Sequence, residues 1–587
     1  VTVFSTVIAI THRTRGGWQS ADMTTTSLHV KPGTEWAAVL GRSSGRAPDA
    51  FGTDRLHNLV DGTWRPIGDP ETLVSPVDGS KLTGLPKVSA GEAQHAVLAS
   101  AAAHRDWATT PVAERKARVT AAVDALADAR DDLALLLAWE IGKPWKLACA
   151  DVDRALDGVR WYVDEIDSML GDRTPLDGPV SNIASWNYPM SVLVHSELVQ
   201  LLAGNAVIAK TPSQGGATCL TLAHALMARE GLPVTLLSGG GAELSSVLVR
   251  SPEIGALAFV GGRSNGGKVA AGLLDTGKRH MLEQEGLNAW GIWEFSDWDG
   301  LAAHLKKGFE YGKQRCTAYP RYVVQRELVD QFLATYLPVV QSLRFGHPLA
   351  VENDGDELPT LDFGPVISAG KAAELRDRVS DAMHRGAVPL WRGDLADGRF
   401  IAGQDTSAYV APAALLSPGG ASALMHSEPF GPVDTIVVVD SEAELLAQMN
   451  ASNGALVASI ACDDEEQGAP AGSGGAGLQG RHQQAPLPWR PRRALRWPGR
   501  LLAGLLRRRR APGAGRHPGP GERAALRQLP GALPLPRGDL APPAWIGSAD
   551  RTPSWLTGAG EPGRTPVNPA DPRPGSGQRS VRSRPSA

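Results

Sequence analysis

The chain is poor in cysteine, in aromatic residues and in net charge. Its 587 residues include four cysteines: Cys149, Cys219, Cys316 and Cys462. None forms a C-x-x-C pair, so neither a zinc knuckle nor a disulfide framework is indicated, and reduced thiols in a cytoplasmic setting fit best. The formal net charge of −3 gives no whole-chain argument for binding nucleic acid or an anionic membrane. No run of about 18 apolar residues occurs, so no spanning helix is expected. The opening VTVFSTVIAI has no basic stretch before it and no small-residue cleavage site after it, which makes it a poor signal peptide. Between residues 190 and 285 there is no G-x-G-x-x-G, so the usual dinucleotide fingerprint is missing there.

What is present suffices for two or three domains with large cores: 42% of residues are hydrophobic. Residues 55–90 read as short strands and turns, with VDGTW and PVDGS as turn chemistry. Ser89 to Glu92 (SAGE) form a capping box ahead of an Ala-rich helix. Pro111 suits a first helical position, and helical periodicity continues to Ile166. From 190 to 285 short apolar strands (NAVIAK, PVTLLSG, ALAFVGG, RHMLEQEG) alternate with helices (TLAHALMARE, AELSSVLVRS, NGGKVAAGLLD). That alternation predicts βαβ units and a parallel sheet, an α/β protein. Glycines end several of these strands, where such sheets bind nucleotides.

Cys316 lies in KQRCTA. A lone cysteine is more often packing than a nucleophile, and its neighbours must decide. WEIGKP (139–144), ASWNYP (184–189), LAGNAVIAKTPS (202–213), LAFVGG (257–262), MLEQEG (281–286), KQRCTA (313–318), FGPVIS (363–368), YVAP (409–412) and SEPFGPV (427–433) occur in one order. On these motifs, from about His57 to Glu466, the chain resembles the aldehyde dehydrogenase superfamily. The resemblance implies a Rossmann-like parallel-sheet cofactor domain plus an α/β catalytic domain. The function it implies is oxidation of a small-molecule aldehyde to a carboxylic acid with NAD or NADP through a cysteine thioester.

By the same resemblance Cys316 is the nucleophile, Glu283 the general base and Asn187 the oxyanion donor. Ala184, Trp186, Lys210, Ser213, Gly261, Gly262, Glu428 and Phe430 match cofactor-binding positions. Four departures stand out. Ser213 replaces the usual acidic residue after the lysine, which removes a charge that would repel a ribose 2′-phosphate and makes NADP at least as plausible as NAD. Gly262 replaces a serine, and Glu285 a glycine. Lys313 replaces the glycine three residues before the nucleophile, where a cation either lowers the thiol pKa or points to solvent. Two rival readings are a relative that passes the acyl group to coenzyme A and a non-catalytic protein that keeps the fold.

The ends of the chain suggest four segments. Residues 1–22 read as a disordered upstream extension, because Met23 opens MTTTSLHVKP. Residues 23–280 hold a helical region and the cofactor domain, and 281–467 a catalytic domain lacking its last part. Residues 468–587 contain no Lys, Phe, Tyr, Cys or Met, and are rich in Arg, Pro and Gly, a composition expected to be disordered. The run RALRWPGRLL can be encoded so that a one-base shift reads E-P-F-G-G-L-G-G-S, a loop the family carries at about this place. A frameshift between 467 and 480 is therefore expected, in preference to a basic tail that binds nucleic acid. The homo-oligomer usual in the family is in doubt for a chain ending this way.

Overall fold

The computed structural model describes residues 27–452 and 454–463, with the backbone of two short strands, Gly480–Arg481 and Arg507–Arg508. The expectations for residues 1–22 and for the frameshift lie outside the described residues.

The helical layer begins where the capping box places it. The Ser89 hydroxyl accepts from the Glu92 N–H at 3.3 Å, and Glu92 accepts from the Ser89 N–H at 2.7 Å. The helix Ala90–Thr109 follows. Pro111 sits one position earlier than expected, as the cap of Val112–Asp128. The helix Trp145–Leu170 runs one turn past Ile166. The helix Arg130–Ile141 is buried on nearly every side and stops at Gly142, φ +65. A Cβ there would stand 2.3 Å from Pro365, so both the left-handed turn and the close approach require glycine.

The first sheet has seven strands in the order Arg279–Gln284, Ala256–Gly261, Val180–Ile183, Val207–Lys210, Val234–Leu237, Asn58–Val60, Thr63–Arg65. The first five are parallel, and the alternation read from the sequence is this sheet. The parallel part begins at Val180–Ile183, builds outward through Val207–Lys210 and Val234–Leu237, then returns to the other side of Val180–Ile183. The strand order thus reverses between Val180–Ile183 and Ala256–Gly261. Crevices at the C-terminal ends of strands flanking such a reversal are where open α/β sheets take ligands. The strand Arg279–Gln284 pairs with Ala256–Gly261, so the first sheet continues beyond the expected boundary at 280.

The second sheet runs in the order Val388–Arg392, Ala413–Leu416, Val433–Val439, Arg321–Gln325, Ala289–Ile292, Ala458–Ala461, Gly480–Arg481. All pairings but the first are parallel. Aromatic packing of Phe309, Tyr322, Phe332 and Tyr336 fills its core on one face. Among the described residues no helix is long and apolar enough to cross a membrane.

One buried acid holds the helical layer to the first sheet. The helix Ala217–Arg229 starts after Gly216, which has no side chain to cap it. Glu140, from WEIGKP, supplies the cap. Its carboxylate accepts from the N–H groups of Thr218 at 3.0 Å and Cys219 at 3.3 Å, and from the Thr218 hydroxyl. Burial pushes the Glu140 carboxyl above its usual range, and these donors oppose the shift. Replacing Glu140 by Ala strands buried donors at about 1–3 kcal/mol each. The expected outcome is a loss of roughly 2–4 kcal/mol in urea unfolding, and a change under 0.5 kcal/mol would refute the capping role.

Candidate active site

The crevice is built from opposite ends of the two sheets. The first sheet contributes the C-terminal ends of its strands: Ala184 to Asn187 after Ile183, Lys210, Gly261 with Gly262, and Glu283. The second contributes segments that enter its strands: Asn288 before Ala289–Ile292, Cys316 before Arg321–Gln325, and Glu428 with Phe430 before Val433–Val439.

Cys316 is half-buried on a turn after the short helix Glu310–Lys313. Four side chains pin this turn. The Asn288 amide donates to the carbonyls of Cys316 at 2.8 Å and Ala318 at 2.7 Å, while its oxygen accepts from the N–H groups of Leu456 and Val457. Gln314 donates to the Pro365 carbonyl at 3.1 Å and accepts from the Ile367 N–H. Arg315 donates to the carbonyls of Lys307 and Gly308. Lys313 donates to the Tyr319 carbonyl at 2.9 Å, closing the turn on itself.

Lys313 neither points to solvent nor lowers the thiol pKa. Its ammonium is buried and lies 2.7 Å from Asp434, which is also buried, and 3.2 Å from the Tyr322 hydroxyl. Tyr336 donates to the other Asp434 oxygen at 2.8 Å. Burial pushes the lysine down and the aspartate up, and the pairing opposes both shifts.

Burial, and then the negative charge of Glu283, push the Cys316 thiol well above its ordinary value. The thiol and the Glu283 carboxyl lie close enough for each to act on the other's ionisation. Glu283 is buried rather than a solvated strand-end carboxylate, and burial pushes it up to about 7. The two groups thus form a protonated thiol beside an acid poised to exchange a proton near neutrality.

Asn187 is buried. Its amide donates to the Gln314 carbonyl at 3.0 Å and its oxygen accepts from Ser185 at 2.6 Å. An amide nitrogen carries two hydrogens, so one remains for a neighbouring oxygen. The Asn187 carbonyl accepts from Lys143 at 2.7 Å; Lys143 in turn is 3.0 Å from Asp151.

On the other side of Cys316, Trp186 packs edge-on against Phe430 at 5.9 Å and Tyr311 at 6.3 Å. Glu428 is buried and neither carboxylate oxygen has a side-chain partner among the described residues. Burial, reinforced by Glu285, pushes it well up, while the Gly286 N–H and Lys371 oppose the shift. Lys210 is buried and donates to the Thr211 carbonyl at 2.9 Å; burial pulls it down to about 8. Ser213 is exposed beyond it, and Ala184 is half-buried. Gly262 caps the helix Arg263–Leu273 without a side chain, and a Cβ on it would lie 3.5 Å from the Glu285 carboxylate. Of the residues singled out in the sequence, Ala184, Trp186, Asn187, Lys210, Gly261, Gly262 and Glu283 lie at or just after the C-terminal ends of the first sheet's parallel strands, and Cys316, Glu428 and Phe430 on segments leading into the second. The sequence reading missed Asn288, Asp434, Lys143 and Asp151. The one visible signal was Lys313 itself, a long cation where glycine is usual.

A thiol, an acid and an amide are gathered beside the switch point of an α/β sheet, where such folds take ligands. The Aldehyde dehydrogenase family profile matches residues 66–471, and the chain belongs to that family; it is an NAD(P)-dependent aldehyde dehydrogenase. Among similar solved structures is the NADP-dependent glyceraldehyde-3-phosphate dehydrogenase of Bacillus halodurans C-125 complexed with NADP. It is 26% identical with a TM-score of 0.65, over 74% of this chain and 92% of that one. The lactaldehyde dehydrogenase of Escherichia coli is 22% identical, TM-score 0.67, over 74% and 92%. The betaine aldehyde dehydrogenase of Staphylococcus aureus in complex with NAD+ is 21% identical, TM-score 0.64, over 74% and 87%.

The Lys313–Asp434 pair gives a test of how the Cys316 turn is held. Removing one partner of a buried pair leaves a lone charge and costs about 3–5 kcal/mol, whereas replacing both by apolar groups is often near neutral. K313M and D434L are each expected to lower unfolding free energy by that amount, and the double variant by less than either. Additive losses in a denaturant titration would show that the two side chains do not act as a pair.

Proposed function

We propose that this enzyme oxidises its aldehyde through a thioester on Cys316. The observation that carries the proposal is the Asn187 amide bonded to the carbonyl two residues before the thiol, with the buried Glu283 carboxyl near enough to act on the thiol's ionisation. Glu283 takes the thiol proton, and the sulfur adds to the aldehyde carbon. The resulting oxyanion is held by the free Asn187 amide hydrogen and the Cys316 backbone N–H. The cofactor, when bound, supplies the hydride acceptor. Loss of hydride leaves a thioester. Glu283, once it has released the thiol proton to solvent, removes a proton from the water that attacks the thioester; collapse to the carboxylic acid expels the thiolate, to which Glu283 returns that proton. A base retained at this place, held near neutrality, supports water over coenzyme A as the acceptor.

The residues that would hold the cofactor suit a dinucleotide. The unpartnered Glu428 carboxylate would accept from ribose hydroxyls, with Phe430 and Trp186 flanking the ring. Gly261 and Gly262 leave the start of a helix open to phosphate. Among the described residues Lys210 has no carboxylate partner, and exposed Ser213 adds none, so the adenosine end carries positive charge.

Three measurements check this reading. C316A should abolish aldehyde-dependent NAD(P)H formation; retained turnover would break the assignment. A general base works deprotonated, so a pKa raised to about 7 means activity is lost as pH falls through 7, not through the usual carboxylate range. Below that point the hydrolysis-limited rate should drop about tenfold per pH unit, and E283Q should remove this limb along with most of the rate. Finally, kcat/KM with NADP should equal or exceed that with NAD; a large preference for NAD would reject the role given to Lys210 and Ser213.

A further inference from the structure

The placing of the cofactor proposed above, on which this inference rests, brings a dinucleotide phosphate to the start of the helix Arg263–Leu273. Two of the four departures from the family pattern meet there. Gly262 stands where a serine is usual, and Glu285 where a glycine is usual. The structure sets them face to face. A Cβ on Gly262 would lie 3.5 Å from a Glu285 carboxylate oxygen. Apart from the chain neighbours of Gly262, no other atom of the described residues comes within 4 Å of that point. The acid thus fills the space into which the missing side chain would have pointed.

The backbone on either side of the acid is fixed. The Glu285 N–H donates to the Gly261 carbonyl at 3.2 Å, which ties the acid to the end of the neighbouring strand. Gly286 is packed against the backbone of Ala455. The side chain itself is not held. It is half-buried, and among the described residues it makes neither a hydrogen bond nor an ion pair. Lys371 is near enough to feel the charge of Glu285, but it is engaged by Glu374 at 3.1 Å. The helix start is equally unengaged. Its first turn has no acidic residue and no side-chain cap, and Gly262 to Asn265 are exposed. Unpaired N–H groups and the helix dipole make such a start a place for one anion. In this chain a carboxylate and a phosphate contend for it.

We propose that Glu285 is a built-in competitor of the cofactor, its carboxylate standing at the start of the helix Arg263–Leu273 and turning out when a dinucleotide phosphate arrives. Two costs follow. The acid gives up its favourable place at the positive end of the helix. Its fixed backbone then keeps the displaced charge close to the phosphate, in a crevice partly shielded from solvent, where like charges repel. Both costs fall on oxidised and reduced cofactor alike. Glu285 therefore weakens binding and hastens release of the reduced cofactor, a step that limits turnover in many enzymes.

The test measures binding rather than turnover. Titration calorimetry of the full chain with NADP+, NADPH and ADP-ribose compares wild type with E285Q, E285G, G262S and the double variant G262S/E285G. E285Q keeps the side chain's size and removes its charge, and it should tighten Kd for all three ligands by about fivefold or more, with E285G at least as effective. ADP-ribose lacks the nicotinamide ring, so equal tightening there locates the effect at the phosphates. Release of NADPH, followed by its fluorescence, should slow in E285Q by a similar factor. In G262S the new hydroxyl meets the carboxylate and should leave Kd unchanged or weaker. In the E285G background the same change should tighten Kd, a coupling of about threefold or more. Three results would each overturn the inference and leave the dehydrogenase reading standing: a Kd unmoved by E285Q, tightening confined to NADP+, or effects of G262S and E285G that simply multiply. Failure of wild type and every variant to bind any of the three ligands rejects the placing of the cofactor, and the inference with it.

Discussion

The nearness of Cys316 to Glu283 is the constraint on which the rest of the site depends. The two residues come from different sheets: Glu283 from the last parallel strand of the first, Cys316 from a turn entering the second. A thiol and a carboxyl can share a proton only if the sheets are held end to end to within a fraction of an ångström. The residues from 283 to 292 do this most directly. The chain leaves the first sheet after Gln284, passes Gly286, and enters the second at Ala289. A Cβ on Gly286 would lie 2.9 Å from the backbone of Ala455, so the crossing is close-packed against the segment entering the next strand. Asn288 then ties that segment to the Cys316 turn through four hydrogen bonds of one buried amide.

Burial sets the electrostatics of this pair. In water a carboxylic acid near pH 7 would be fully ionised and a thiol only slightly so. Here both are pushed toward their neutral forms, the acid to about 7 and the thiol well above its ordinary range. Lys313 does not counter this, because Asp434 already neutralises it. In the mechanism proposed above, thiolate formation is thus tied to Glu283 rather than to a neighbouring cation, and the same acid, once it has released that proton, serves the water of the second step.

Legibility from the sequence followed the range of each interaction. The capping box at Ser89, the alternation of strands and helices from 190 to 285, and the glycine-ended strands are local, and the structure has them where periodicity and turn chemistry put them. Cys316, Glu283 and Asn187 were singled out by motif resemblance, and they converge on one crevice. Asn288, Asp434 and Asp151 were not legible. Each acts through partners supplied by other elements, as Lys313 is for Asp434, and no periodicity marks a buried polar residue whose partner is elsewhere in the chain. Lys313 was visible as an oddity, but its direction was not, because a side chain's fate depends on what the fold places above it.

That direction bears on how the turn is held. Tyr311, Gly312 and Lys313 all have φ near +60, a conformation that costs a non-glycine residue about 1–2 kcal/mol. Phe430, across the crevice, shares it at φ +51. A glycine at 313 would relieve one of these penalties, yet this chain carries a lysine there. The cost is offset because the same backbone twist aims the ammonium inward, to Asp434, Tyr322 and the Tyr319 carbonyl on the far side of Cys316. A glycine turn is free to adopt other conformations; a lysine turn closed on its own carbonyl and an ion pair is not. The strained backbone and the buried pair therefore form one device, in which local conformational energy is exchanged for a fixed position of the sulfur opposite Glu283.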